Sequence, residues 1–300
     1  MEKSKRITIS EIAPRDGFQS VKEWIDTDLK LEIIDRIVDS GVKRIQITSF
    51  VNAKAIPQMK DAVELTQRVI EKYNDLSLFA LVPNYHGVQT AFKSKINEVS
   101  YVISVSESHN KANVNKTIIE SIEELKRIRN DFPNMIINLD AATSFGCPFE
   151  GETPLENTMD LVKKAIEIGV DSVDICDTIG VAYPKQVEIL TKMLLKEFLN
   201  TKFEIHIHDT RNMGILNTFT ALQNGITSVQ TSLGGLGGCP FAPGASGNTS
   251  TEDLIYMLTK NGFETDIDFN KILSAAKFLR KNVEGNYSGH HINIEASYRE

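Results

Sequence analysis

Gly41-Val42-Lys43-Arg44-Ile45, Gly169-Val170-Asp171-Ser172-Val173 and Gly225-Ile226-Thr227-Ser228-Val229 repeat one theme along the chain. A glycine closes an amphipathic run, an apolar residue follows, and a β-branched residue comes three places later. Glycine supplies the left-handed residue that stops a helix, and the apolar residue drops the chain into the next strand. The theme therefore marks helix-to-strand junctions. Outward from these junctions, strand patterns fall at 7–12, 44–48, 77–82, 98–105, 135–140, 172–176, 203–208 and 228–233. Between them lie helical patterns such as 28–40, where Leu29, Ile33, Ile34, Ile37 and Val38 share one face. Alternation at this spacing predicts parallel β/α units, and eight of them fit a closed barrel. A doubly wound open sheet competes, but no Gly-x-Gly-x-x-Gly follows the first strand, which runs into Ala13-Pro14-Arg15-Asp16-Gly17. Thr153-Pro154-Leu155-Glu156 and Thr249-Ser250-Thr251-Glu252 predict capping boxes at two helix starts. No linker or low-complexity run divides the chain. The expected organisation is α/β, a single (β/α)8 TIM barrel over 1–278 with a short C-terminal extension over 279–300.

Three hundred residues, 41% apolar and 24% charged, suffice for a large core without disulfides. The net charge of −7 argues against nucleic acid or a membrane surface as a general partner. Cys147, Cys176 and Cys239 lie far apart without paired spacing, as in a reduced intracellular protein. The N-terminus has basic residues but no apolar leader core, and no run approaches a membrane span. The expected location is the cytoplasm.

In a barrel, functional groups collect where strands end, on the face built from the βα loops. Arg15-Asp16-Gly17 follows the first strand and reads as a solvated turn or as an acidic metal ligand beside a fixed cation. His206-Ile207-His208-Asp209 closes the seventh. Side chains alternate on a strand, so Phe203, Ile205 and Ile207 face the helices and leave both imidazoles inside the barrel mouth. Two converging imidazoles suit a metal. The loop after the eighth strand, 234–248, holds Cys239 and Asn248 among six glycines and two prolines. It is a surface loop or a lid; Asn offers a neutral oxygen to a hard cation and Cys can move a proton. It lacks the Gly-Lys-Ser/Thr of a phosphate cradle. Asp177-Thr178-Ile179-Gly180, after the sixth strand, reads equally as a helix cap. Cys147 fits a buried turn thiol, and His290-His291 fit a frayed polar tail or an adventitious metal site.

Together these clusters resemble the 3-hydroxy-3-methylglutaryl-CoA lyase family. The motifs that carry the likeness are Pro14-Arg15-Asp16-Gly17-Phe18-Gln19, Thr48-Ser49-Phe50-Val51, Gly146-Cys147-Pro148-Phe149-Glu150-Gly151, Asp177-Thr178-Ile179-Gly180-Val181, His206-Ile207-His208-Asp209-Thr210 and the run from Gly234 to Leu258. The resemblance implies a lyase that cleaves 3-hydroxy-3-methylglutaryl-CoA, or a relative such as citramalyl-CoA, to acetyl-CoA and a keto acid. It implies Mg²⁺ or Mn²⁺ held by Asp16, His206, His208 and Asn248. Arg15 would stabilise the enolate, Cys239 would protonate it, and Asp177 or His206 would take the hydroxyl proton. Gln19 and Gln46 would meet the substrate, and the protein would be a homodimer. Gln46 stands where these lyases carry Glu, and Asp140 where many carry Tyr. The lost charge at Gln46 predicts a more electropositive site and an altered substrate choice. Two other functions share the scaffold: a Claisen-type synthase joining acetyl-CoA to a 2-oxo acid, and a binding protein without catalysis.

Overall fold

The computed structural model describes residues 5–238 and 247–295. Eight parallel strands close on themselves in sequence order: β1 (Thr8–Glu11), β2 (Arg44–Ser49), β3 (Ser77–Val82), β4 (Glu98–Ser104), β5 (Ile136–Ala142), β6 (Ser172–Asp177), β7 (Lys202–Ile207) and β8 (Ser228–Thr231). β8 pairs with β1 at Thr8–Ser228 through Glu11–Thr231, which completes the barrel. The expected TIM barrel is the observed fold. Among the described residues no helix is long and apolar enough to cross a membrane.

The three junction glycines take φ of +103°, +97° and +116° at Gly41, Gly169 and Gly225. At Gly41 a Cβ would also lie 2.4 Å from the Asp266 carbonyl oxygen, so a side chain is excluded twice over. Strand alternation then sorts the chemistry. Val173, Ile175, Phe203, Ile205 and Ile207 join the apolar core under the helices. The intervening residues form polar layers: Asp140, Asp174 and Glu204 are neighbours in register across β5, β6 and β7, and Cys176 and His206 lie one layer above.

Three local expectations change. The helix Leu155–Ile168 starts without a side-chain cap from Thr153, because Pro154 itself occupies the capping position. The helix Thr251–Lys260 is capped one residue later than expected, by Ser250 accepting from the Asp253 amide. Glu252 instead accepts from the Gly234 amide at 2.9 Å. The helix Phe269–Asn282 runs unbroken across Phe278, the residue after which the C-terminal extension was expected. Its inner residues Ile272, Ala275, Ala276 and Leu279 are buried.

Candidate active site

The chain leaves β1 into a wide helical turn, Ala13–Gly17, whose five residues are all buried. Glu11 holds this turn. Its carboxylate accepts from the Ala13 amide at 2.8 Å, the Leu233 amide at 2.9 Å and the Thr251 hydroxyl at 2.7 Å. Three segments are thereby tied at one point, and burial raises the Glu11 pKa to about 7. Arg15 and Asp16 project from this anchored turn into the barrel mouth.

Asp16 meets the ends of β7 and the Gly-rich loop. Asn248 donates from Nδ2 to Asp16 Oδ2 at 2.8 Å, and its Oδ1 lies 2.8 Å from His206 Nε2. His208 Nε2 is 3.8 Å from Asp16 Oδ2, and the two imidazole centroids are 5.0 Å apart. Burial lowers both histidines, His206 to about 4, so each imidazole is neutral with a lone pair to give. Burial alone would raise Asp16, but Arg15 and the two histidines hold it at about 2. Ligand atoms of Asp16, His206 and His208 lie within 4.8 Å of one another, all three buried. His208 Nδ1 has no hydrogen-bond partner among the described residues. One carboxylate, two neutral imidazoles and an amide oxygen match a divalent cation of hard to borderline character. Asp174 Oδ2 stands 3.9 Å from His206 Nδ1, beyond hydrogen-bond distance.

Arg15 is 5% exposed and donates to Asp16 and, from Nε, to Gln46 Oε1. Gln19 donates to Asp16 at 3.1 Å. The Gln46 amide then donates to Ser100 Oγ at 3.2 Å. Ser100 in turn bonds the buried Asp140, whose pKa burial raises to about 7 against the pull of Arg15. Gln46 thus links Arg15 to the Asp140 carboxyl, and burial holds both Asp140 and Asp174 above the usual carboxylate range. A cavity of about 590 Å³ opens above, lined by Arg15, Asp16, Asp140, Cys176, His206 and His208 among others.

Asp177 does not join this cluster. Its oxygens accept from the Val181 and Ala182 amides at 2.9 and 3.0 Å, and it is not among the cavity-lining residues. Burial raises it to about 6, and its work is to fasten the loop after β6. Cys239 lies outside the described residues. Cys147 is the buried turn thiol expected, its sulfur 2.9 Å from Ser106 Oγ.

The HMGL-like family model matches residues 6–279, nearly the whole barrel. The chain belongs to this family. A hydroxymethylglutaryl-CoA lyase of Bacillus subtilis is 41% identical over 93% of this chain and 94% of its own. An (R)-citramalyl-CoA lyase of Chloroflexus aurantiacus is 37% identical over 91% of this chain and 90% of its own. A hydroxymethylglutaryl-CoA lyase of Acinetobacter baumannii, solved with coenzyme A and 3-methylmalate, superposes with a TM-score of 0.93. It is 32% identical, over 100% of this chain and 99% of that one. The protein is an enzyme, a carbon–carbon lyase of the HMGL-like family, whose members depend on a metal.

In this HMGL-like chain the C-terminal extension is fastened to the stem of the Gly-rich loop. Ser288 Oγ lies 2.6 Å from the Asn248 carbonyl, and the Gly289 amide donates to Gly234 at 3.0 Å. At Gly235, with φ of +64°, a Cβ would fall 1.9 Å from Ser288 Oγ. His290 and His291 donate backbone amides to Asp253, and the His291 ring packs at a 46° tilt to Tyr256, centroids 4.6 Å apart. These two histidines are structural rather than frayed. Ser288→Ala is expected to weaken cation binding about tenfold, the scale of an outer-sphere contact to a ligand. Calorimetric titration with Mn²⁺ measures it; unchanged affinity would reduce Ser288 to a covering residue.

Sequence reasoning missed Glu11, Asp174 and Glu204. The signal was present for the last two: Ser172-Val173-Asp174-Ile175-Cys176 alternates just as the His-x-His strand does. Glu11 gives no such signal, since its partners lie 222 and 240 residues away.

Proposed function

We propose that this chain cleaves 3-hydroxy-3-methylglutaryl-CoA, or a close relative such as citramalyl-CoA, to acetyl-CoA and a keto acid. The observation that carries it is the convergence of Asp16, His206, His208 and Asn248 on one point beside the buried guanidinium of Arg15. These four residues would hold Mg²⁺ or Mn²⁺. When bound, such a cation makes the tertiary hydroxyl more acidic and shares charge on the substrate oxygens. Arg15 binds the thioester oxygen and stabilises the enolate charge as the carbon–carbon bond opens; its contacts hold it in place beforehand. Gln19 and Gln46 fix Asp16 and Arg15, and so contribute to substrate placement. Cys239 protonates the enolate carbon. The likeness to a lyase solved with coenzyme A supports a small-molecule acyl-CoA as the partner. The net charge of −7 supports a protein without nucleic-acid or membrane partners. We further read it as cytoplasmic, since its three cysteines carry no paired spacing, and as a homodimer, as the family resemblance implies.

Incubation with a panel of acyl-CoAs, following acetyl-CoA released or consumed, separates cleavage from condensation and from binding alone. Cleavage that stops with chelator and returns with Mg²⁺ or Mn²⁺ is expected. Cys239→Ala is expected to lower kcat about a hundredfold with a smaller change in KM, as for a lost proton donor. A variant with near-normal kcat would remove Cys239 from the proton path.

A further inference from the structure

Cleavage of a tertiary alcohol needs an acceptor for the hydroxyl proton, and the two residues expected for that role are both engaged. The carboxylate of Asp177 is spent on two amides of its own loop. His206 directs Nε2 to the ligand cluster and Nδ1 toward Asp174. A neutral imidazole has one lone pair, and a cation would take it. Among the other groups lining the cavity, His109 has Nδ1 engaged with Ser104 at 2.7 Å, and burial lowers it to about 4. The Cys176 thiol is turned to Asp174, 3.4 Å away, and burial raises its pKa well above the ordinary value.

Asp140 differs from all of these. It lines the cavity, is 4% exposed, and its Oδ1 has no hydrogen-bond partner among the described residues. A buried carboxylate oxygen without a donor is costly unless a ligand supplies one. Its other contact is Ser100, which Gln46 connects to Arg15. The chain Arg15–Gln46–Ser100–Asp140 thus links the enolate stabiliser to one carboxylate, and the Gln46 amide has no basic oxygen to compete for the proton.

Resting on the lyase activity proposed above, we propose that Asp140 is the catalytic base of this chain, accepting the proton of the substrate's tertiary hydroxyl through Oδ1. The O–H bonding pair becomes the new carbonyl π bond of the keto acid. The carbon–carbon pair passes to the acetyl-CoA enolate, whose carbon takes a proton from Cys239. Asp140 then releases its proton to solvent and the Cys239 thiolate regains one, so protons balance and nothing is oxidised. The charged groups bearing on Asp140 are Arg15 and Asp16 from the turn after β1, Asp174 from β6 and Glu204 from β7. Burial first, then the neighbouring carboxylates, raise the group to about 7 against Arg15. A base poised there matches a reaction near neutrality.

The test compares Asp140→Asn and Asp140→Glu with the natural enzyme, each loaded with Mn²⁺ and checked by calorimetry for cation binding. Asp140→Asn is expected to lose about 10²–10⁴-fold in kcat, with KM and Mn²⁺ affinity changed far less. The natural enzyme should lose activity as pH falls through about 7, and Asp140→Asn should lose that dependence. Asp140→Glu should recover part of the rate, and formate should partly rescue Asp140→Ala. An Asn variant with near-natural kcat and an unchanged pH profile overturns the assignment while the lyase activity stands. A natural enzyme that cleaves no hydroxyacyl-CoA overturns both. Loss of Mn²⁺ binding in both Asn and Glu variants also overturns it, since Asp140 would then serve the cation cluster.

Discussion

Arg15→Met is expected to lower kcat about a thousandfold, the upper range for removal of one preorganised oxyanion donor. The guanidinium is buried and fixed on two sides, by Asp16 and by Gln46. It therefore meets the developing enolate charge without reorganising solvent. Methionine keeps the length and removes both the charge and the forked donors. A second effect follows from the pairing. Asp16 is held at about 2 by Arg15 against a burial that would raise it, so loss of the cation leaves a buried carboxylate less willing to ionise. Part of the loss should appear as weaker cation binding, and Mn²⁺ titration of the variant separates it from the loss in kcat at saturating metal. Arg15→Lys should recover only part of the rate, because an ammonium cannot reproduce the planar fork that reaches Gln46 and Asp16 together. If Arg15→Met at saturating Mn²⁺ stays within tenfold of the natural kcat, enolate stabilisation belongs to another group.

The barrel was legible because its signals are local and repeated. The junction glycines each mark a left-handed residue, and strand alternation is visible over six or seven residues at a time. The metal cluster was legible in pieces, each piece sitting at the end of a strand. What local pattern cannot give is which pieces meet. Asp177 ends a strand as His206 does, yet its two amide contacts turn it into its own loop. Thr153 and Thr249 have the composition of caps, but Pro154 displaces the first and the Ile207 carbonyl takes the hydroxyl of the second at 2.9 Å. Gln46 read alone lost a charge. In the fold it connects Arg15, through Ser100, to a buried carboxyl on another strand, Asp140. The differences at Thr249 and Gln46 arise from contacts far apart in sequence, where composition and period carry no information, whereas those at Asp177 and Thr153 arise within five residues.

His208→Ala is expected to reduce kcat/KM at fixed, limiting Mn²⁺ by about a thousandfold or more, because a bound cation supplies several kcal/mol of charge stabilisation. The fold should survive the change. The His208 side chain has an unpartnered Nδ1 and only a 3.8 Å approach to Asp16, so its removal breaks no hydrogen bond in the ligand cluster. Its backbone pairing with Asn248 does not depend on the ring. Burial keeps this imidazole neutral, so alanine removes a lone-pair donor and not a charge; Asp16 and Asn248 keep their contact. The remaining three ligands should bind the same cation more weakly, and excess Mn²⁺ should restore part of the activity by mass action. That recovery distinguishes a ligand from a base, whose loss no concentration of metal repairs. Natural activity in His208→Ala at limiting Mn²⁺, or full turnover of the natural enzyme after metal is stripped, would remove the cation from the reaction and with it the role given to all four ligands.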